Sequence, residues 1–226
     1  MMNFREKIEE VKPREIEEKS FAIISEELGT RDFAPNTELI VKRCIHTSAD
    51  FDYADNLCFS QDAAVKAMAA IKGGVSVVTD TNMAKAGINK VSLAKYGGIV
   101  HCFMADSDVA EAARRHGTTR ASESMKKAAG LGKPFIYAIG NAPTALVSLY
   151  DLIQEEKVKP ELIIGVPVGF VNVVQSKELI MSADVPYIVA RGRKGGSNIA
   201  ACIVNALLYM IDNDRYYWTD KKKMTW

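Results

Sequence analysis

Residues 43–50, Arg43-Cys44-Ile45-His46-Thr47-Ser48-Ala49-Asp50, place a cation, an imidazole, a hydroxyl and a carboxylate within about two helical turns. At helical spacing Ile40, Val41, Cys44 and Ile45 fall on one side, and Arg43, His46, Thr47 and Asp50 on the other. Imidazole suits proton movement near neutral pH, because its unperturbed pKa is about 6.5. By itself the octapeptide also fits an ordinary solvated helix face carrying a surface histidine.

Three further stretches could bind an anion. Asp80-Thr81-Asn82 offers a carboxylate, a hydroxyl and an amide at a helix start. Gly140-Asn141-Ala142-Pro143-Thr144 should leave backbone N–H groups free beside Asn141 and Thr144. Arg191-Gly192-Arg193-Lys194-Gly195-Gly196-Ser197 sets three cations and three glycines before a helix. Helix starts attract anions through unpaired N–H groups and the macrodipole, and arginine adds bidentate carboxylate recognition. Any one of these turns could be plain capping. Together they suggest a ligand with several negative groups, to which Arg120 and Lys177 could add cations. Ser20 lies within a predicted helix. It either bonds back to the carbonyl four residues earlier or donates into a pocket.

The elements that must carry these residues follow a βα rhythm. Strands are expected at 75–79, 99–103, 135–139, 162–164 and 187–190, each followed by a polar or glycine-rich turn and a helix. Such alternation implies a doubly wound, flavodoxin-like α/β domain: a parallel sheet of about five strands with helices on both faces. Ligands in such folds bind at the carboxyl ends of the strands. N-terminal helices precede the sheet, one over 14–29 with Ile16, Ile24 and Leu28 as its apolar stripe and one carrying His46. The acidic run 50–55 reads as a loop, lacking the glycine and final glutamate of a calcium loop. One domain spans 1–211, and 212–226 forms a polar, aromatic tail.

Composition narrows the function. A net charge of +1 supplies no global field for nucleic acid or an anionic membrane. No run of about 18 apolar residues occurs, and the charged start lacks a secretion signal, so a cytoplasmic protein is expected. Four scattered cysteines and three histidines without ligand spacing argue against a disulfide framework or a protein-held metal. No G-x-G-x-x-G follows the first strand. Gly130-Leu131-Gly132-Lys133 precedes a strand and is no P-loop.

Arg43-x-Ile45-His46-x-x-Ala49-Asp50, Asp80-Thr81-Asn82-Met83 with Gly87-Ile88, residues 140–146, residues 165–171 and residues 191–197 resemble, in that order, the precorrin-8X methylmutase family of cobalamin biosynthesis. The resemblance runs from about residue 12 to 210. It implies an isomerase that moves a methyl group from C11 to C12 of a tetrapyrrole macrocycle, giving hydrogenobyrinate or cobyrinate. It implies no separate cofactor, a homodimer, and transient contact with neighbouring pathway enzymes. The family's catalytic histidine maps to His46, and Ser20 and Arg43 match substrate-contact positions. Thr81, Arg120, Asn141, Lys177, Arg191 and Lys194 follow from their loops. Gln175 departs from the glutamate that relatives often carry before Ser-Lys. Two other readings stay open: a corrinoid carrier that does no chemistry, and a nucleotide-binding enzyme.

Overall fold

The computed structural model describes residue 5 and residues 8–212, so the tail beyond 212 lies outside the described residues. Two helices lead, α1 (Pro13–Leu28) and α2 (Glu38–Ser48), followed by one turn, α3 (Tyr53–Asn56), and a strand, β1 (Leu57–Phe59). After α4 (Ala63–Lys72) come β2 (Ser76–Thr79), α5 (Asn82–Gly87), α6 (Lys90–Ala94), β3 (Val100–His101), α7 (Ser107–His116) and α8 (Arg120–Ala129). The chain continues through β4 (Phe135–Ile139), α9 (Pro143–Gln154), β5 (Leu162–Gly165), α10 (Val173–Met181), β6 (Tyr187–Ala190) and α11 (Ser197–Asp212).

The sheet has six strands in the order β1-β6-β5-β4-β2-β3. β2 to β6 are parallel, and counted among themselves they run 2-1-3-4-5, the flavodoxin-like order. The sixth strand, β1, was not expected. It pairs antiparallel with β6, Leu57 opposite Ala190 and Phe59 opposite Ile188. Three residues are too few to show alternation, and the acidic run before them masks the strand. That run is itself partly helical, since Tyr53–Asn56 forms α3.

Strands buried on both faces still divide their side chains. Phe135, Tyr137 and Ile139 of β4 pack with α8, α9 and α10, while Ile136 and Ala138 join α1, α2, α4 and α11 on the other face. α11 is the spine of that second face. Ile199, Ile203, Val204 and Leu207 are fully enclosed, which explains a helix apolar almost all round. α1 meets this core through Phe21, Ile24 and Leu28. Spacing puts Ile16 in the stripe, yet it is about half exposed, and Phe21 takes the buried position.

α2 ends just after His46. Its carbonyl ladder closes on Ala49, whose left-handed backbone (φ 54°) donates to Ile45 O. The chain then runs through α3 into β1, and Arg191 N donates to Asn56 O at 2.8 Å. Because β1 is antiparallel, its start lies beside the carboxyl end of β6. This is how the end of α2 reaches the edge where all five parallel strands deliver their loops.

Candidate active site

His46 is exposed in the last turn of α2. Its ring meets the Phe21 ring in an edge-on contact, centroids 5.3 Å apart. The same Phe21 ring lies under the Arg43 guanidinium, 5.2 Å away, so one buried aromatic orients both side chains. Nothing in the sequence marks Phe21 beyond its being an aromatic next to Ser20.

Arg43 was expected on the polar face beside His46. It is buried instead, at 7% exposure, between the rings of Phe21 and Tyr209, and donates to Glu17 Oε1 at 2.8 Å. The face is polar in type, but at Arg43 it is covered by α1 and α11. Its guanidinium therefore ties α2 to α1. Ser20 takes the local option and donates to Ile16 O at 2.8 Å.

Beneath His46, Thr47 Oγ1 donates to Cys202 Sγ of α11 at 3.1 Å. Burial pushes the Cys44 thiol up, whereas hydrogen bonding from Cys44 and from Thr47 lowers that of Cys202. Beyond the helix end, Lys194 Nζ sits 2.7 Å from Asp50 Oδ2 and 2.6 Å from Asp52 Oδ2. The hydrogen bond from Lys194 holds the Asp50 carboxyl below its usual range, and the same two carboxylates raise Lys194. The basic loop is thereby latched to the segment that follows His46.

Other loops are laced to one another. Gly169 N donates to Arg193 O and Gly196 N to Val166 O, which binds the β5 exit to the β6 exit. Gly195 (φ 157°) permits this approach, because a Cβ there would lie 2.1 Å from Val166 O. Thr81 Oγ1 accepts from Ala84 N to cap α5 and lies 2.8 Å from Ser197 Oγ at the start of α11. Thr119 and Thr144 share a hydroxyl contact at 2.9 Å, joining the starts of α8 and α9, with Arg120 exposed beside them. Phe170 and Val171 stand 80% and 79% exposed on the β5 exit loop, and the Arg193 guanidinium lies 5.5 Å from the Phe170 ring. The edge thus carries apolar as well as cationic surface.

Several sequence expectations are corrected. Lys177 does not add a cation to the rim. It is fully buried, and its ammonium donates at 2.8 Å to Gly192 O and to Lys194 O, holding the basic loop from within. Burial lowers its pKa to about 8. Arg191 points to the outer side and donates from Nε to Glu178 Oε1 at 3.0 Å. Asp80 is enclosed, not displayed, and the N–H groups of residues 140–142 that should be free bond to it. Asn141 itself is exposed on that loop, and Gln175 is exposed on α10.

Two surface clefts lie elsewhere. One, of about 650 Å³, is lined by Ser76, His101, Lys133 and Phe135 near the amino ends of the strands. The other, of about 780 Å³, is lined by Thr118, Ser122, Lys126 and Asp151 from α8, α9 and their approaches. Neither contains His46. Among the described residues no cluster of three or more His, Cys, Asp or Glu side chains could hold a metal, and no helix is long and apolar enough to cross a membrane.

Topology and rim define a flavodoxin-like α/β protein whose candidate catalytic imidazole stands at the carboxyl edge of the sheet. A family described as Precorrin-8X methylmutase matches residues 15–210, and the chain belongs to that family. It is 44% identical over 213 residues to the cobalt-precorrin-8 methylmutase of Priestia megaterium, covering 94% of this chain and 95% of that protein. The precorrin-8X methylmutase of Pseudomonas aeruginosa is 35% identical over 191 residues, covering 84% of this chain and 91% of its own. A crystal structure of the Thermus thermophilus precorrin-8X methyl mutase superposes with a TM-score of 0.81 at 37% identity, covering 88% of this chain and 98% of that one. The chain is accordingly an isomerase, a methylmutase of cobalamin biosynthesis.

Proposed function

We propose that this methylmutase moves a methyl group from C11 to C12 of a precorrin-8 macrocycle, with His46 donating a proton or hydrogen bond to the ring. The observation that carries the assignment is the placing of His46: exposed at the carboxyl edge, its ring set by Phe21 and its helix end latched through Asp50 to Lys194. A flat ring fringed with carboxylates suits an edge that combines exposed Phe170 and Val171 with Arg120, Arg193 and Lys194. Within this reading Asn141 and Thr81 contact the substrate from the β4 and β2 exits. Ser20 and Arg43 support it from α1 and α2, Arg43 mainly by holding Phe21 and Glu17 in place. Arg191, paired with Glu178, tunes the outer border, and Lys177 acts only through the loop it holds.

The shift is intramolecular, so no covalent nucleophile is needed. General acid help is typically worth about 10² to 10⁴ in rate, and the remainder comes from holding the ring in a reactive geometry. We read the natural substrate as the cobalt-bearing form, because relatives named for cobalt-precorrin-8 reach 44% identity and those named for precorrin-8X reach 37%. The cobalt belongs to the substrate. The reading includes a homodimer in the cytoplasm with transient contact to neighbouring pathway enzymes, the dimer being open to sedimentation.

His46→Ala, assayed with purified cobalt-precorrin-8 and followed by absorption, is the test. The expected loss is about a hundredfold or more in turnover, and retention within about threefold removes the assignment. The metal-free substrate, run in parallel, should turn over more slowly; equal or faster turnover removes the cobalt assignment.

A further inference from the structure

In a doubly wound sheet the natural anion-binding crevice opens where adjacent strands send their connections to opposite faces. In this chain the point lies between β2 and β4, which pair directly through Thr79 and Ala138. Three consecutive amide N–H groups converge there, as they would in a nest built for phosphate. The anion they hold is the chain's own. Asp80 Oδ1 accepts from Gly140 N at 2.9 Å, and Oδ2 accepts from Asn141 N at 2.8 Å and Ala142 N at 2.6 Å.

We propose that Asp80 is a positioning residue for the methyl transfer, a built-in anion that fills the switch-point nest and fixes Asn141 and the start of α9 against the rim. Asp80 is 0% exposed and so cannot touch substrate. Burial raises the pKa of the Asp80 carboxyl, and the bonds from the Gly140, Ala142 and Asn141 amides oppose that rise, next to a helix start that favours negative charge. The loop it holds has no slack. A Cβ on Gly140 would lie 2.6 Å from Ser197 Cα and 2.8 Å from Gly196 O, so any drift of residues 140–142 presses on the start of α11. Thr81, the next residue, meets Ser197 Oγ at 2.8 Å and closes the same junction from the β2 side. Asp80 therefore sets how far the Asn141 side chain stands above the edge. The filled nest also accounts for a flavodoxin-like switch point with no vacancy for a nucleotide phosphate.

The inference rests on the reading of Asn141 as a substrate contact, and the test separates the two. Asp80→Ala empties the nest, and Asp80→Asn keeps its shape while losing the charge and one of the two acceptor oxygens. Each is made with and without Asn141→Ala, assayed on cobalt-precorrin-8, and melted in rising sodium formate with sodium chloride as control. Asp80→Ala should raise KM about tenfold with a smaller change in kcat. Formate, a free carboxylate small enough for the nest, should restore much of the loss and raise the melting temperature of this variant, with no effect on wild type. In the Asn141→Ala background, replacing Asp80 should change KM little.

KM within about twofold of wild type in Asp80→Ala overturns the proposal, as does a loss that formate does not reverse and that is equal with and without Asn141. Should Asp80→Ala fail to fold even in formate, Asp80→Asn decides through KM alone, and a wild-type value overturns it. An unchanged KM in Asn141→Ala by itself removes the substrate role of Asn141. Formate rescue of Asp80→Ala then still decides whether the nest positions the start of α9.

Discussion

Lys177 offers a measurable link between proton binding and the basic loop. Its ammonium is buried and bonded to two carbonyls, and desolvation brings its pKa from the ordinary 10.5 down to about 8. Below the folded value both folded and unfolded chains carry the proton, and the burial penalty is fully present. Between the two values the unfolded chain binds the proton and the folded chain does not, so stability rises with pH across that window. The whole gap is worth about 3 kcal/mol at roughly 1.4 kcal/mol per unit. About 2 kcal/mol of it falls between roughly pH 7 and pH 9.5. Lys177→Met keeps the stem, removes the titration, and strands two carbonyls at about 1–3 kcal/mol each, partly offset by the lost desolvation. Urea unfolding of both proteins at the two pH values isolates the effect from other titrating groups. The stability advantage of wild type over the variant should widen by about 2 kcal/mol at the higher pH. A gap that stays constant within about half a kcal/mol, or narrows, refutes the claim that burial outweighs the carbonyl bonds.

Two further substitutions test how the loops are set. Ala49→Gly relieves the left-handed backbone that ends α2 at φ 54° and should stabilise the protein by about 1 kcal/mol, read from the urea midpoint. A destabilised variant would show that the turn after His46 is not under strain. Gly140→Ala drives a methyl group into the backbone of Ser197 and should destabilise by about 1–3 kcal/mol, with a matching fall in melting temperature. An unchanged melting point would mean that the β4 exit has room to move.

What could be read from the sequence follows the range of the interactions involved. Five strands and their order of appearance were legible because each is a continuous apolar run closed by a turn. The fold follows from them, apart from β1, whose three residues carry no period. His46 was legible as a helix-end imidazole, and the back-bond of Ser20 as one of two options for its hydroxyl, since both depend on neighbours within about one turn. Partners far along the chain were invisible. Asp80 looks like an exposed carboxylate until residues 140–142 are brought to it, and Lys177 looks like a surface cation until Gly192 and Lys194 close over it. The burial of Arg43 is hidden for the same reason. Spacing identifies its helix face as polar but cannot reveal that Phe21 and Tyr209 sandwich it.

The two borders of the sheet are both very short, Val100–His101 on one side and Leu57–Phe59 on the other. A strand border recruits foreign chain by offering a row of unpaired amides and carbonyls, and its appeal grows with its length. Here β1, added antiparallel, replaces the four-residue border of β6 with one of three residues, while β3 ends after two residues. A stray segment would find too few partners in a row to zip onto either side. The strand that takes the chain away from the rim thus also disfavours edge-to-edge pairing of the folded protein.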